Sequence, residues 1–387
     1  MIGKIKVIKN ANVVLEDGII WDGGIVIEND KIVKADKLVN IEIPVGAEII
    51  DANGAYVGPG FVDIHVHGGA GEKLFSEPEK VTAHFLSHGA TSILATWSAS
   101  YTYEETLQGI CNVKNAMDTH KAIKGINMEG PYMNNNYGAW KNIESWFSGD
   151  VDEKYYKAMV DELGDAVKIW SIAPEREGIM PFIKYARRVN PTVVFSVGHS
   201  EATPEQIRYL GTKYRPKLTT HLMNATGRQT GDDGGLRGYG PDEYCLADPD
   251  MYAELICDSC GVHVHSDLQR MIIKNKGVHR VVLITDSTSY NGKNPEEYAH
   301  VDDISFNERG YIAGSRLTMD KACRNIMSHT NCGIAQAFVM ASLNPARVID
   351  MDDKIGSIEP GKIADLVFVD DRFNVKKVML CGEICEF

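Results

Sequence analysis

The sequence predicts a (β/α)8 barrel with a small β domain assembled from the two ends of the chain, and three observations carry that prediction. Between residues 61 and 284, strand-like runs alternate with amphipathic helical runs, and the strand-like runs number eight. The two ends lack helical periodicity and read instead as short strands separated by turn signals. Metal-competent or acid–base side chains fall at the carboxyl ends of six of the eight predicted strands, the rim on which such barrels do their chemistry. The expected division gives residues 1–56 and 351–387 to the β domain and 57–350 to the barrel.

Taken in order, residues 5–8, 12–15, 24–27, 31–33 and 48–50 read as strands, with Glu16-Asp17-Gly18 and Asp22-Gly23-Gly24 as turns. At 61–67, Val62, Ile64 and Val66 alternate with Asp63, His65 and His67, so an extended strand aims both imidazoles the same way. Gly68-Gly69 then stops the strand where little side-chain bulk intervenes. Further strands are expected at 91–94, 125–128, 167–170, 192–195, 217–220, 252–256 and 280–284, and helices at 77–88, 103–116, 153–163, 179–189, 203–210 and 266–275. A doubly wound open sheet would also alternate, but it has no reason to deliver eight strands. Residues 361–369, 375–380 and 383–387 return to strand character, so the two ends are expected to pair.

Composition narrows the partners. A formal charge of −13 over 387 residues argues against nucleic acid or anionic membranes, which need a basic surface, and leaves a small-molecule substrate. An anionic substrate stays compatible, because a pocket can be locally basic in an acidic protein. Met1-Ile2-Gly3-Lys4 begins no signal-type apolar run, and no stretch approaches the length of a membrane span, so a soluble cytoplasmic protein is expected. Eight scattered cysteines fit reduced thiols, and the close pair Cys257 and Cys260 is read as inert.

The strand ends supply the chemistry. His65 and His67 close strand 1, Glu129 strand 3, His199 strand 5, His221 strand 6, His263 strand 7 and Asp286 strand 8. The remaining histidines scatter over other positions and are read as surface or core residues. Imidazoles with one carboxylate suit zinc, iron, cobalt or manganese, and not calcium or magnesium, which prefer oxygen shells. Glu129, His199 and His221 can hold one ion; His65 and His67 can hold a second, with Glu129 as a bridge. Such an ion acidifies water, and Asp286 is placed to accept the proton and return it to a leaving amine.

These residues lie in motifs that resemble the amidohydrolase superfamily, and within it the N-acetylglucosamine-6-phosphate deacetylase branch. The motifs are Pro59-Gly-Phe-Val-Asp63-Ile-His65-Val-His67-Gly68, Met128-Glu129-Gly130-Pro131, Gly198-His199-Ser200, Thr220-His221-Leu-Met-Asn224-Ala225, Ala253-Glu254-Leu-Ile256, Ile284-Thr-Asp286, Ala313-Gly314-Ser315 and Gly356-Ser-Ile-Glu-Pro360-Gly361. The resemblance implies a barrel with a β-sandwich from both termini, a homodimer, and hydrolysis of an acetamide on an amino sugar phosphate. It also implies that Glu129, His199 and His221 are the principal metal ligands, and that Asn224, Ala225 and His263 line the substrate.

The chain departs from that branch around the substrate. Tyr137-Gly138-Ala139-Trp140 puts an indole where the family has a histidine that polarises the substrate carbonyl, and an indole N–H donates without carrying charge. The family's phosphate-binding arginine segment is replaced by a stretch in which Arg228 or Arg237 can serve, with Asp232-Asp233 between them. A threonine pair after strand 2 becomes Thr96-Trp97. An unchanged hydrolytic centre with an altered surround points to the same bond-breaking chemistry on the branch's substrate, with hydrolysis of a different amide or N-acyl compound as the alternative and a catalytically silent homologue, which would be expected to have lost ligands, behind both.

Overall fold

The computed structural model describes residues 4–227 and 238–387. Eight parallel strands form one sheet whose spatial order is their chain order: β1 (Phe61–Val66), β2 (Ala90–Thr96), β3 (Ile123–Glu129), β4 (Val167–Ile172), β5 (Val194–Val197), β6 (Leu218–Thr219), β7 (Tyr252–Ile256) and β8 (Val281–Ile284). Every residue of β1, β2 and β7 is buried. That is why these segments read as near-continuous apolar runs: a parallel strand covered on both faces has no solvent side to mark.

The ring closes between β1 and β8 at the carboxyl rim. Asp286 N–H donates to the carbonyl of His65 at 3.0 Å, and His67 N–H donates to that of Ser287 at 2.9 Å. Beneath them the Asp63 carboxylate accepts the Thr285 hydroxyl at 2.6 Å and the Thr285 amide at 3.3 Å. Asp63 has no exposed surface, and burial pushes its carboxyl up to about 7 against those stabilising hydrogen bonds.

The flanking helices carry legible signals. Thr102 and Glu105 form a capping box for Tyr103–Thr119, and Thr203 and Gln206 do the same for Pro204–Tyr209. Helix Ile179–Val189 buries Ile179, Phe182, Ile183 and Ala186, one stripe at helical spacing. Phe182 packs at 4.9 Å from Trp170 of β4 and at 4.5 Å from Tyr132, centroid to centroid.

Both chain ends meet in a second, eight-stranded sheet: Leu366–Val369 lies antiparallel to Tyr56–Pro59, and Tyr56–Pro59 parallel to Ile5–Leu15. It has its own core, including Ile8, Val13, Ile25, Val57 and Leu366. The strands expected at 5–8 and 12–15 are a single strand, Ile5–Leu15. A bulge at Asn10, with φ of 55°, breaks the alternation midway and makes one strand look like two.

Among the described residues four α-helices lie outside the elements that periodicity predicts: Pro241–Ala247, Met319–Thr330, Ile334–Phe338 and Asn344–Val348. Pro241–Ala247 is under two turns long, too short for a period to show. Met319–Thr330 follows a hairpin, Ile304–Phe306 with Ile312–Ser315, that interrupts the strand–helix rhythm after β8. Among the described residues no helix is long and apolar enough to cross a membrane.

All eight cysteines are free. Cys257 is buried 3.1 Å from Gln269 Oε1, whereas Cys260 is exposed. Burial pushes the Cys257 thiol up and that of Cys245 to about 11. Thiol labelling of the native protein at pH 8 is therefore expected to modify Cys260 and to spare Cys257 and Cys245, as peptide mapping would show. At the seam, Thr285→Val removes a donor from a buried carboxylate and is expected to lower unfolding free energy by about 1–3 kcal/mol in denaturant titrations.

Candidate metal centre

The side chains expected at strand ends do converge. His65 lies in β1 with His67 just beyond it, Glu129 ends β3, and His199, His221 and Asp286 each stand two residues past β5, β6 and β8. His199, His221 and Asp286 have φ of 43°, 29° and 48°. Left-handed backbone at residues other than glycine costs on the order of 1–3 kcal/mol each and persists only where the surroundings enforce it. Three such turns at one rim mark the place where the chain is bent to serve a site.

Glu129 joins two clusters. Its Oε1 lies 3.1 Å from His199 Nε2 and 2.9 Å from His221 Nε2. Its Oε2 lies 3.0 Å from His67 Nε2 and 3.5 Å from His65 Nε2. Asp286 Oδ1 completes the second group at 3.2 Å from His67 Nε2 and 3.5 Å from His65 Nε2. The far nitrogens hold the rings: His221 Nδ1 is 3.0 Å from the carbonyl of Asn224, and His65 Nδ1 is 3.1 Å from Glu254 Oε2.

Burial alone would neutralise these groups, but their mutual attraction outweighs it. Desolvation opposes charge on His67, yet Asp286 and Glu129 raise its pKa to about 9. His65 is likewise raised well above the usual imidazole value, against its own burial, by Glu129, Glu254 and Asp286. Glu129 is held well below the ordinary carboxylate range, since His65, His199 and His221 override its desolvation. Asp286 is lowered in the same way by His65 and His67. Buried acids and imidazoles thus hold one another charged, an arrangement that suits cation binding.

The donor set fits transition-metal ions. His65, His67 and Asp286 place their ligand atoms within 4.8 Å of one another, and so do Glu129, His199 and His221. Nε2 of His199 is 3.0 Å from that of His221, and Nε2 of His65 is 3.3 Å from that of His67, so the nitrogens that would serve as ligands once deprotonated face each other in pairs.

The centre floors a cavity of about 310 Å³ whose walls include Trp97, Trp140, Asn224, Ala225, His263 and Tyr311. Asn224, Ala225, His263 and Trp140, which the sequence reading expects to contact substrate, line this cavity. Both ring nitrogens of His263 already have protein partners, Asp258 at 3.0 Å and the Gly314 carbonyl at 3.1 Å. Trp97 spends its N–H on Thr106 at 2.9 Å and belongs to the core with one edge at the cavity. Arg228 and Arg237 lie outside the described residues.

Sequence reasoning gave no role to Glu254 or to the hairpin residues Tyr311 and Ile312. Glu254 had a signal: a carboxylate inside the apolar strand Tyr252–Ile256, at a position where burial on both faces favours an aliphatic residue. Tyr311 and Ile312 had none beyond their place beside the motif Ala313-Gly314-Ser315, because only the fold brings them over the rim.

Residues 56–385 match the model of the amidohydrolase family. The chain belongs to the amidohydrolase family. It is 28% identical over 356 residues to the N-acetylglucosamine-6-phosphate deacetylase of Lysinibacillus sphaericus, covering 88% of each chain. It is 27% identical to the N-acetylgalactosamine-6-phosphate deacetylase of Escherichia coli O157:H7, covering 89% of this chain and 91% of that one. Among solved structures it is similar to the N-acetyl-D-glucosamine-6-phosphate deacetylase of Mycobacterium smegmatis, a mutant in complex with N-acetyl-D-glucosamine-6-phosphate. That match has a TM-score of 0.82 and 28% identity and covers 99% of both chains. The family is metal-dependent, and the two clusters are candidate sites for its ions.

Because Glu129 serves both clusters, Glu129→Ala is expected to leave the folded protein without stoichiometric metal at either, as elemental analysis after dialysis would show.

Proposed function

We propose that this amidohydrolase removes the acetyl group from N-acetylglucosamine 6-phosphate or a closely related N-acetyl amino sugar phosphate, using one or two divalent transition ions, zinc foremost. The observation that carries the reading is Glu129, whose two oxygens face two imidazole pairs while Asp286 stands in the same cavity. Likeness to deacetylases over most of the chain supports it.

When bound, such an ion supplies Lewis acidity and brings the pKa of water to about 7. The chain's own residues do the rest. Glu129, His199 and His221 hold the principal ion, and His65 and His67 hold the second. Asp286, kept ionised by His65 and His67, accepts the proton of the attacking water and delivers it to the departing amine nitrogen. Asn224, Ala225, His263 and Trp140 orient the sugar, and Arg228 or Arg237 meets its phosphate. The proposal includes a homodimer, and a cytoplasmic setting that eight free thiols suit. It also retains the division into a barrel and a terminal β domain.

A second reading, hydrolysis of another amide or N-acyl compound by the same centre, is favoured by the aromatic wall of Trp140, Tyr290 and Tyr311. Acetate release from N-acetylglucosamine 6-phosphate by metal-loaded protein separates the two. Turnover is expected, and Asp286→Asn is expected to lower kcat by roughly 10²- to 10⁴-fold. Release no faster from wild type than from Asp286→Asn sinks the first reading.

A further inference from the structure

One buried carboxylate touches both halves of the metal centre without belonging to either. Glu254, in the middle of β7, has no exposed surface. Its Oε2 lies 3.1 Å from His65 Nδ1 and accepts the backbone N–H of His221, also at 3.1 Å. Its other oxygen, Oε1, has no hydrogen-bond partner among the described residues. Burying a carboxylate is costly and a lone backbone amide does not require one. The demanding contact is the imidazole.

Resting on the reading of the two clusters as metal sites, we propose that Glu254 is a positioning residue that sets the occupancy of the His65–His67–Asp286 cluster. A neutral imidazole has one N–H and one lone pair. When Nδ1–H of His65 points at Glu254, the lone pair falls on Nε2, the atom that faces His67, Glu129 and Asp286. Without that acceptor the ring is free to carry its proton on Nε2, where it blocks an ion.

The two clusters depend on Glu254 unequally. At His221 the contact is made by the backbone amide, and the ring is fixed independently by the Asn224 carbonyl at 3.0 Å. At His67, Nδ1 is buried and has no hydrogen-bond partner among the described residues, so within them His65 is the imidazole of its pair whose tautomer is set by a protein acceptor. Removing the carboxylate therefore strikes the His65 side first.

The test is a titration of metal-stripped, full-length protein with cobalt(II), followed by visible absorption and by metal analysis, in wild type, Glu254→Gln, Glu254→Leu and His65→Ala. Wild type is expected to take up two ions. Glu254→Gln keeps the side-chain shape but not the charge, and it is expected to bind one of the two about 10- to 100-fold more weakly and the other nearly as before. Glu254→Leu is expected to lose the weaker ion altogether. Adding Glu254→Gln to His65→Ala is expected to cost nothing further at that site, because Glu254 acts there only through the imidazole that His65→Ala has already removed.

Equal weakening of both ions, as a general loss of structure would produce, overturns the proposal. So does wild-type affinity for both ions in the Gln and Leu variants, or a wild-type protein that takes up only one ion. Because the titration needs no substrate, its failure is distinct from that of the deacetylase reading, which fails on absence of acetate release.

Discussion

The closure of the barrel between β1 and β8 is the constraint from which the site follows. These strands share few of the regular ladder bonds that join the other neighbours, and what joins them is a short set of contacts at one end. Asp63 grips Thr285, and His65 and Asp286 are tied backbone to backbone. The same residues that shut the ring are thus those that carry two imidazoles and a carboxylate into its mouth. A slip of one residue at this seam would turn His65 and His67 to the opposite face of the strand, since side chains alternate with a period of two. Barrel closure and assembly of the centre are a single structural event.

The second consequence is electrostatic. His65, His67, His221, Glu129 and Asp286 lie in a largely buried region, where desolvation alone would drive each towards its neutral form. They hold one another charged, as the raised His65 and His67 and the lowered Glu129 and Asp286 show. An ion held by these imidazoles would require them to be deprotonated, so its binding would be linked to proton release and would strengthen as pH rises. The strained turns at His199, His221 and Asp286 keep the donors convergent before any ion arrives, which lowers the ordering cost of binding.

Centre and cavity are built from different material. The candidate ligands come from strand ends, held by the most buried part of the fold. The walls come from the segment around Trp140 and from the hairpin carrying Tyr311, which meet where Asn307 donates to the Ala139 carbonyl and Arg309 to that of Lys141. Loops of this kind change without disturbing the barrel, so substrate preference can drift while bond-breaking chemistry stays. Of the departures from the deacetylase pattern, Trp140 lies on these walls, while the candidate ligand motifs are intact.

The sequence by itself determined the barrel, the pairing of the two ends, and the rim on which chemistry would lie. Apolar runs alternating with amphipathic ones report burial directly, and a histidine or acid at the end of such a run has few structural reasons to be there. It also brought His65, His67, Glu129, His199, His221 and Asp286 into one set, because parallel strands in a closed ring deliver all their ends to one place. Tertiary structure alone decided how Glu129 divides its oxygens between two imidazole pairs. It alone joined Glu254 to His65 across 189 positions, laid the hairpin over the mouth, and merged two apparent strands into Ile5–Leu15. Such contacts leave no trace in local periodicity, because a hydrogen bond between distant strands depends on barrel register and not on neighbouring residues.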